Sequence, residues 1–326
     1  TVTITGASQG AYNLGGLLGV AVIVVDSNTY TYTIASTTAS GIAATSNEGG
    51  LTYAAATTYA GETMSRTSAR FGTVNITGAA LVTDPSLTAI TTTGAQTYRN
   101  AVVLRGFATT LSSTANGNIT FTSSSTINDD ATLSALSVNT GGRTKFGGNV
   151  GNTAAIGSIF TDNAAAADAD VLANPFTGVG EYTELSGPAI TTAKVSGFST
   201  GDQTYDDPVF IQDNTIISST GGGNITYNAA VNGANQQNLT VSTTGSVTYN
   251  SAVGSTAASF FVDVTAENIT FNSTLTAGGT ISLATTTTGG TVNINGNVVA
   301  GNDITITSNN LNVGAGFTIR GDLDPV

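Results

Sequence analysis

From Ile269 onward the apolar residues of this chain fall in pairs two positions apart: Ile269 and Phe271, Ile281 and Leu283, Val292 and Ile294, Ile304 and Ile306. This spacing puts both members of a pair on one face of an extended strand, with the Thr or Asn between them on the other. The pairs recur about every 11 or 12 residues, separated by Gly-Asn, Gly-Gly or Asn-Gly steps. Those steps supply the positive φ that tight corners need. The pattern predicts short strands of even length joined by glycine corners.

Whole phrases recur as well. "GNITF" at 117–121 returns as "GNITY" at 223–227 and in part as "NITF" at 268–271. Residues 93–121 align with 200–227, and 136–155 with 239–258, so the offset drifts only from 107 to 103. A shorter phrase stands at 1–7 ("TVTITGA"), 73–79 ("TVNITGA") and 291–297 ("TVNINGN"). Short strands with glycine corners fit a sandwich, a barrel or a solenoid. Self-similarity selects the solenoid, whose coils stack about 4.8 Å apart and need the same shape from one to the next. Two strands and their corners would make a coil of about 20 to 25 residues, giving roughly a dozen coils.

The expected fold is therefore all-β, an elongated parallel β-solenoid preceded by a less regular N-terminal β region. Three segments are expected: residues 1–90 with a hairpin turning at Ser27 and Asn28; 91–197 as the first repeat unit; and 198–326 as the second with the C-terminal end. Residues 161–190 break the rhythm and read as a loop on the solenoid's side, with a helical turn near 164–172.

Composition agrees with stacking. The 326 residues include 40 Gly and about sixty Thr, and only 9% are charged. In a solenoid an identical charge would recur every coil, about 5 Å from the last, so low charge is what the architecture demands. The net charge is −12, and no Lys or Arg lies between Val195 and Ile319, which excludes a nucleic-acid partner. The apolar run at 17–25 is too short to span a bilayer and reads as a buried strand. Absence of Cys fits a secreted bacterial surface protein held together without disulfides. Starting at Thr1 without a basic leader, the chain reads as a mature product or a fragment.

The order of these phrases, from "TGAQTY" through "TTLSST", "GNITF" and "LSVNT", resembles the repeat-rich surface proteins of Gram-negative bacteria. Those are the filamentous-haemagglutinin-like and autotransporter-type adhesins, and the likeness covers residues 91 to about 320. The resemblance implies a right-handed β-helix, export to the cell surface, and a structural or adhesive role.

Candidate chemistry is sparse. Without His or Cys there is no Ser-His or Cys-His nucleophile and no zinc site of the usual ligands. Carboxylate pairs stand at Asp129/Asp130, Asp168/Asp170 and Asp206/Asp207. A carbohydrate-active β-helix would gather such groups in one groove, whereas carboxylates that merely solvate corners would scatter. No catalytic residue or cofactor is assigned. Asp202, Asp206 and Asp207, among carbonyl-rich corners, are the candidate ligands for a calcium ion. Six Asn-X-Ser/Thr sequons, at Asn75, Asn118, Asn224, Asn238, Asn268 and Asn272, follow from the prevalence of Asn and Thr in these strands. The resulting expectation is a secreted, non-enzymatic structural protein that polymerises head-to-tail into a fibre, sheath or layer, or serves as an adhesin stalk. Its partners would be identical subunits and a surface polysaccharide, with no membrane span. The alternative is a polysaccharide lyase or hydrolase.

Overall fold

A computed structural model describes strands at residues 21–26, 29–33, 51–53, 62–64, 68–71, 74–76 and 81–83, and the chain at 89–161, 181–187, 189–234, 237–255 and 261–321. It is all-β among the described residues, and its parallel strands stack into a β-solenoid of about nine turns. Each coil has three walls rather than the two strands expected. Two-residue spacing tells which face of a strand is inward but not how many corners close the coil. Among the described residues the first wall holds eleven strands, from Ser68–Phe71 to Asn310–Val313. The second wall carries Gln96–Tyr98, Ile119–Phe121, Arg143–Phe146, Tyr182–Leu185 and Val209–Ile211 among others. The third carries Val102–Leu104, Ala189–Val195, Thr215–Thr220 and Asn238–Thr243.

The sheets continue across both expected segment boundaries. The second wall begins at Leu51–Tyr53, so the solenoid reaches back into the N-terminal region. Ala21–Asp26 and Thr29–Thr33 form the expected antiparallel hairpin, whose turn residues lie outside those described. The expected side loop is shorter than 161–190, because Tyr182–Leu185 is a wall strand and Ala189–Val195 begins another. Residues 162–180, with the expected helical turn, lie outside the described residues.

The apolar pairs of the repeated phrases point inward, with Ile304 and Ile306 of the C-terminal coil only partly buried. Ile119, Ile225, Tyr227, Ile269 and Phe271 are 0% exposed, and Phe121 is 1%. In-register pairing places equivalent residues one above another. Tyr98, Phe121 and Phe146 stack on the second wall, with centroids 4.8 and 5.4 Å apart. Tyr205, Tyr227, Tyr249 and Phe271 stack on the first, at 5.1, 4.7 and 4.7 Å. Each such pair contributes roughly 0.5–1.5 kcal/mol beyond its burial. Burial pushes the phenols of all four tyrosines well above their ordinary value, so they stay neutral.

The two ladders stand on different walls because the sequence copies are rotated by one wall. The first copy starts on the first wall at Ala89–Thr92 and the second on the third wall at Ala189–Val195. Between them Ser158–Thr161 and Tyr182–Leu185 add two strands, one step short of a coil. The shift is tolerated because every wall offers the same inward spacing.

The phrase "QTY" forms a buried lock that survives this rotation. The Tyr98 hydroxyl donates to Gln96 Oε1 at 2.7 Å, and Gln96 Nε2 donates to the Ser112 carbonyl at 2.8 Å and to Thr92 Oγ1 at 3.2 Å. In the second copy Tyr205 donates to Gln203 at 2.8 Å, while Gln203 reaches the Ser218 carbonyl at 2.7 Å and Thr192 Oγ1 at 3.2 Å. Higher in the ladder, the Tyr227 and Tyr249 hydroxyls are buried with no hydrogen-bond partner. The glycine of "GNITY" has a separate cause: a Cβ on Gly223 would lie 2.2 Å from the Gly201 carbonyl oxygen in the coil below.

Two predictions follow from this packing. Tyr205→Phe strands the buried Gln203 carbonyl and is expected to cost about 1–2 kcal/mol, whereas Tyr227→Phe removes an unpaired hydroxyl and should be neutral or stabilising. Urea denaturation midpoints decide, and equal losses at both positions would refute the lock. Gly223→Ala is expected to destabilise by roughly 1–3 kcal/mol, since backbone must move to admit the methyl; an unchanged thermal midpoint would show that the coils can separate freely there.

Candidate functional site

Along the corner after the first-wall strands, polar side chains are consumed by stacking. Asn250 Nδ2 donates to Asn228 Oδ1 at 2.6 Å, Asn272 to Asn250 at 2.9 Å, and Asn295 to Asn272 at 3.1 Å. Asp206 ends this ladder, accepting from Asn228 Nδ2. At the opposite end of the same strands, each side-chain oxygen caps a backbone N–H one coil above. Asp202 Oδ1 accepts from Asn224 N at 2.8 Å, and Asn224 Oδ1 from Ser246 N at 2.9 Å. Asn268 does the same for Thr291 at 3.2 Å, and on the second wall Asn118 does so for Arg143 at 2.9 Å. Of the sequon asparagines, Asn118, Asn224, Asn268 and Asn272 thus have a coil-to-coil role.

This geometry separates the candidate calcium ligands. Asp202 precedes Gln203–Tyr205 and Asp206 follows it, a span of four extended residues or about 13 Å. Asp207 is buried at the second corner, 4% exposed. A calcium shell takes six to eight oxygens around one point. Asp202, Asp206 and Asp207 do not converge on one, and Asp202 and Asp206 already accept hydrogen bonds. The three residues therefore do not fit one ion.

Asp129 serves its own corner. Its carboxylate accepts from Leu133 N at 2.8 Å and Ser134 N at 2.6 Å, holding a turn in which Ala131 and Leu133 adopt positive φ. Asp130 pairs with Arg105 at 3.1 Å. Asp168 and Asp170 lie outside the described residues. Among the described residues no group of three or more acidic side chains could hold a metal.

One charged cluster was not anticipated. On the outer face of the second wall Glu184 accepts from Lys145 Nζ at 2.7 Å, Arg143 Nη1 at 3.0 Å and Ser186 Oγ at 2.8 Å. Glu184 is only 6% exposed, and parallel pairing sets it directly above Lys145 and below Phe210. Burial by itself would raise its pKa. The Lys145 and Ser186 hydrogen bonds and the charges of Lys145 and Arg143 outweigh it and hold the carboxyl below the usual range. The sequence signal was Arg143 and Lys145 at outward positions, with their partner about 40 residues on and visible only once coils are stacked. The arrangement neutralises charge on a wall and leaves no exposed acid–base pair.

No protein-family model, curated protein or solved structure matches this chain. No helix among the described residues is long and apolar enough to cross a membrane.

The lowered pKa of Glu184 gives a pH prediction. Its stabilisation is fully present above the unfolded value near 4.5 and is lost progressively as pH falls through the lower value of the folded state. Glu184→Gln is expected to cost about 1–3 kcal/mol at pH 7 and much less at pH 3. Melting curves at both values test this, and a pH-independent loss would show that packing rather than charge is responsible.

Proposed function

We propose that this chain is a non-enzymatic, extracellular structural protein, a stiff rod that builds a cell-surface fibre, sheath or layer or carries an adhesin. The observation that carries the reading is the use made of the repeated residues. Phe and Tyr are spent on interior ladders, Asn on corner ladders, Gln on the buried lock and Gly on close coil contacts. Among the described residues no three acidic side chains group to hold a metal, and Glu184 is taken up by Arg143 and Lys145, which supports structure over polysaccharide cleavage.

A head-to-tail contact between identical subunits would use an open strand face of the kind seen at residues 304–320. Its strands Ile304–Thr307, Asn310–Val313 and Ile319–Arg320 each have a neighbour on one side only among the described residues. Leu311 and Val313, in register with the buried Val292 and Ile294 below, are 47% and 41% exposed. Leu311 borders an open cavity of about 420 Å³ lined also by Ile304, Ile306 and Ile319. This face has the shape that every internal coil offers to the next, so a parallel coil complements it, whether a continuation of the chain or a second copy. Such a contact is heterologous and propagates instead of closing.

Electron microscopy of the purified protein is expected to show rods that lengthen with concentration, and Leu311→Lys is expected to shorten them. Globular monomers at every concentration would overturn the fibre reading, and release of reducing ends or unsaturated sugars from polysaccharide would favour the enzyme.

A further inference from the structure

The two most exposed large apolar side chains among those described are Phe107 and Phe198, at 77% and 70%. Both lie on the corner where the third wall turns into the first. Phe107 sits between Val102–Leu104 and Ala108–Ser113. Phe198 tops a short antiparallel hairpin in which Lys194 and Val195 pair with Thr200 and Ser199. Backbone hydrogen bonds trace the corner from coil to coil: Ala135 N–H to the Phe107 carbonyl, Gly157 N–H to Ser134, and Gly201 N–H to Gly157. Three coil steps separate the two positions, about 14 Å along the axis.

The hairpin is an addition that the core does not require. The first copy turns this phrase in ten residues, 89–98 ("AITTTGAQTY"), whereas the second takes 189–205 and gains seven. Gln203 still reaches Thr192 at 3.2 Å, as Gln96 reaches Thr92 at 3.2 Å. The added residues project Val195, 43% exposed, and Phe198 into solvent. Between the rings the corner is small and polar, with Ala131, Thr132, Asn152 and Thr153 exposed. Arg105 and Asp130 neutralise each other beside Phe107, and Lys194 Nζ donates to the Gly222 carbonyl beside Phe198.

We propose that this corner, from Phe107 to Phe198, binds a neutral polysaccharide lying along the solenoid axis. The proposal rests on the extracellular reading above. A protein partner would need a contiguous apolar patch of several hundred Å². Two isolated rings with hydroxyls and amides between them do not make one. A chain of pyranose rings alternates apolar C–H faces with hydroxyl rims, and a coil step of about 4.8 Å is roughly one ring long. The electron-rich face of each phenylalanine takes a C–H face, and Thr132, Asn152 and Thr153 meet the hydroxyls between. The net charge of −12 disfavours an acidic glycan.

Native electrophoresis in gels cast with hydroxyethylcellulose, dextran or galactomannan tests the proposal, with solution scattering on the same samples. At least one polymer is expected to retard the protein, and Phe198→Ala and Phe107→Ala each to weaken retardation about tenfold. Deleting residues 193–199 restores the ten-residue turn and is expected to abolish retardation with the melting curve retained. Absence of retardation by all three polymers, or equal retardation of the phenylalanine variants, overturns the proposal. So does a change in sedimentation of the variants without any polymer, which would assign the corner to contact between copies. A rod shape in scattering alongside any of these failures leaves the structural reading standing; a compact particle would remove that reading instead.

Discussion

Successive coils of this protein pair through parallel hydrogen bonds in a fixed register, so each residue sits directly above its counterpart in the coil below, 22 residues earlier over much of the second copy. Whatever occupies a position must tolerate its own likeness at the distance of one strand spacing. Flat rings satisfy this by stacking, amides by donating up and accepting down, and glycines by letting backbones close in. A lone charge does not satisfy it. Where charges meet on a wall they are opposite, as Lys145 lies below Glu184, while Asp263 stands between the uncharged Thr240 and Ser282.

Much of this was legible beforehand. Two-residue pairing of Ile225 with Tyr227 and Ile269 with Phe271 gave the inward face correctly, since strand geometry alone decides it. Repetition of "GNIT" implied stacking. The number of walls was hidden, because corner residues look alike wherever the chain turns. Residues 136–155 and 239–258 align cleanly although Ala135–Thr140 and Asn238–Thr243 stand on different walls. The acidic pairs misled for a related reason: adjacency in sequence put Asp202 near Asp206, but an extended strand holds them apart. Glu184 was missed because its partners come from another coil.

A rod whose interior and corners are absorbed in self-stacking has little chemistry to spare, and specificity must come from departures in the repeat. The hairpin of Lys194 to Thr200 is such a departure, as are the positive-φ turn at Ala131 and Leu133 and the open coil at Leu311. Each leaves the ladders beneath it intact. The corners can then vary without a cost to the fold.

The rotation of the second copy by one wall bears on how such genes lengthen. If a duplicated segment had to return to the same wall, only insertions of whole coils would survive, and recombination within a coil would be lethal to the fold. Here two added strands, Ser158–Thr161 and Tyr182–Leu185, were accommodated and the pattern resumed on a different side. The unit of inheritance is thus a single strand with its corner. Unequal crossing-over has about three times as many acceptable breakpoints as a whole-coil rule would allow, and each off-register event turns the decorated corners to face a new direction around the axis.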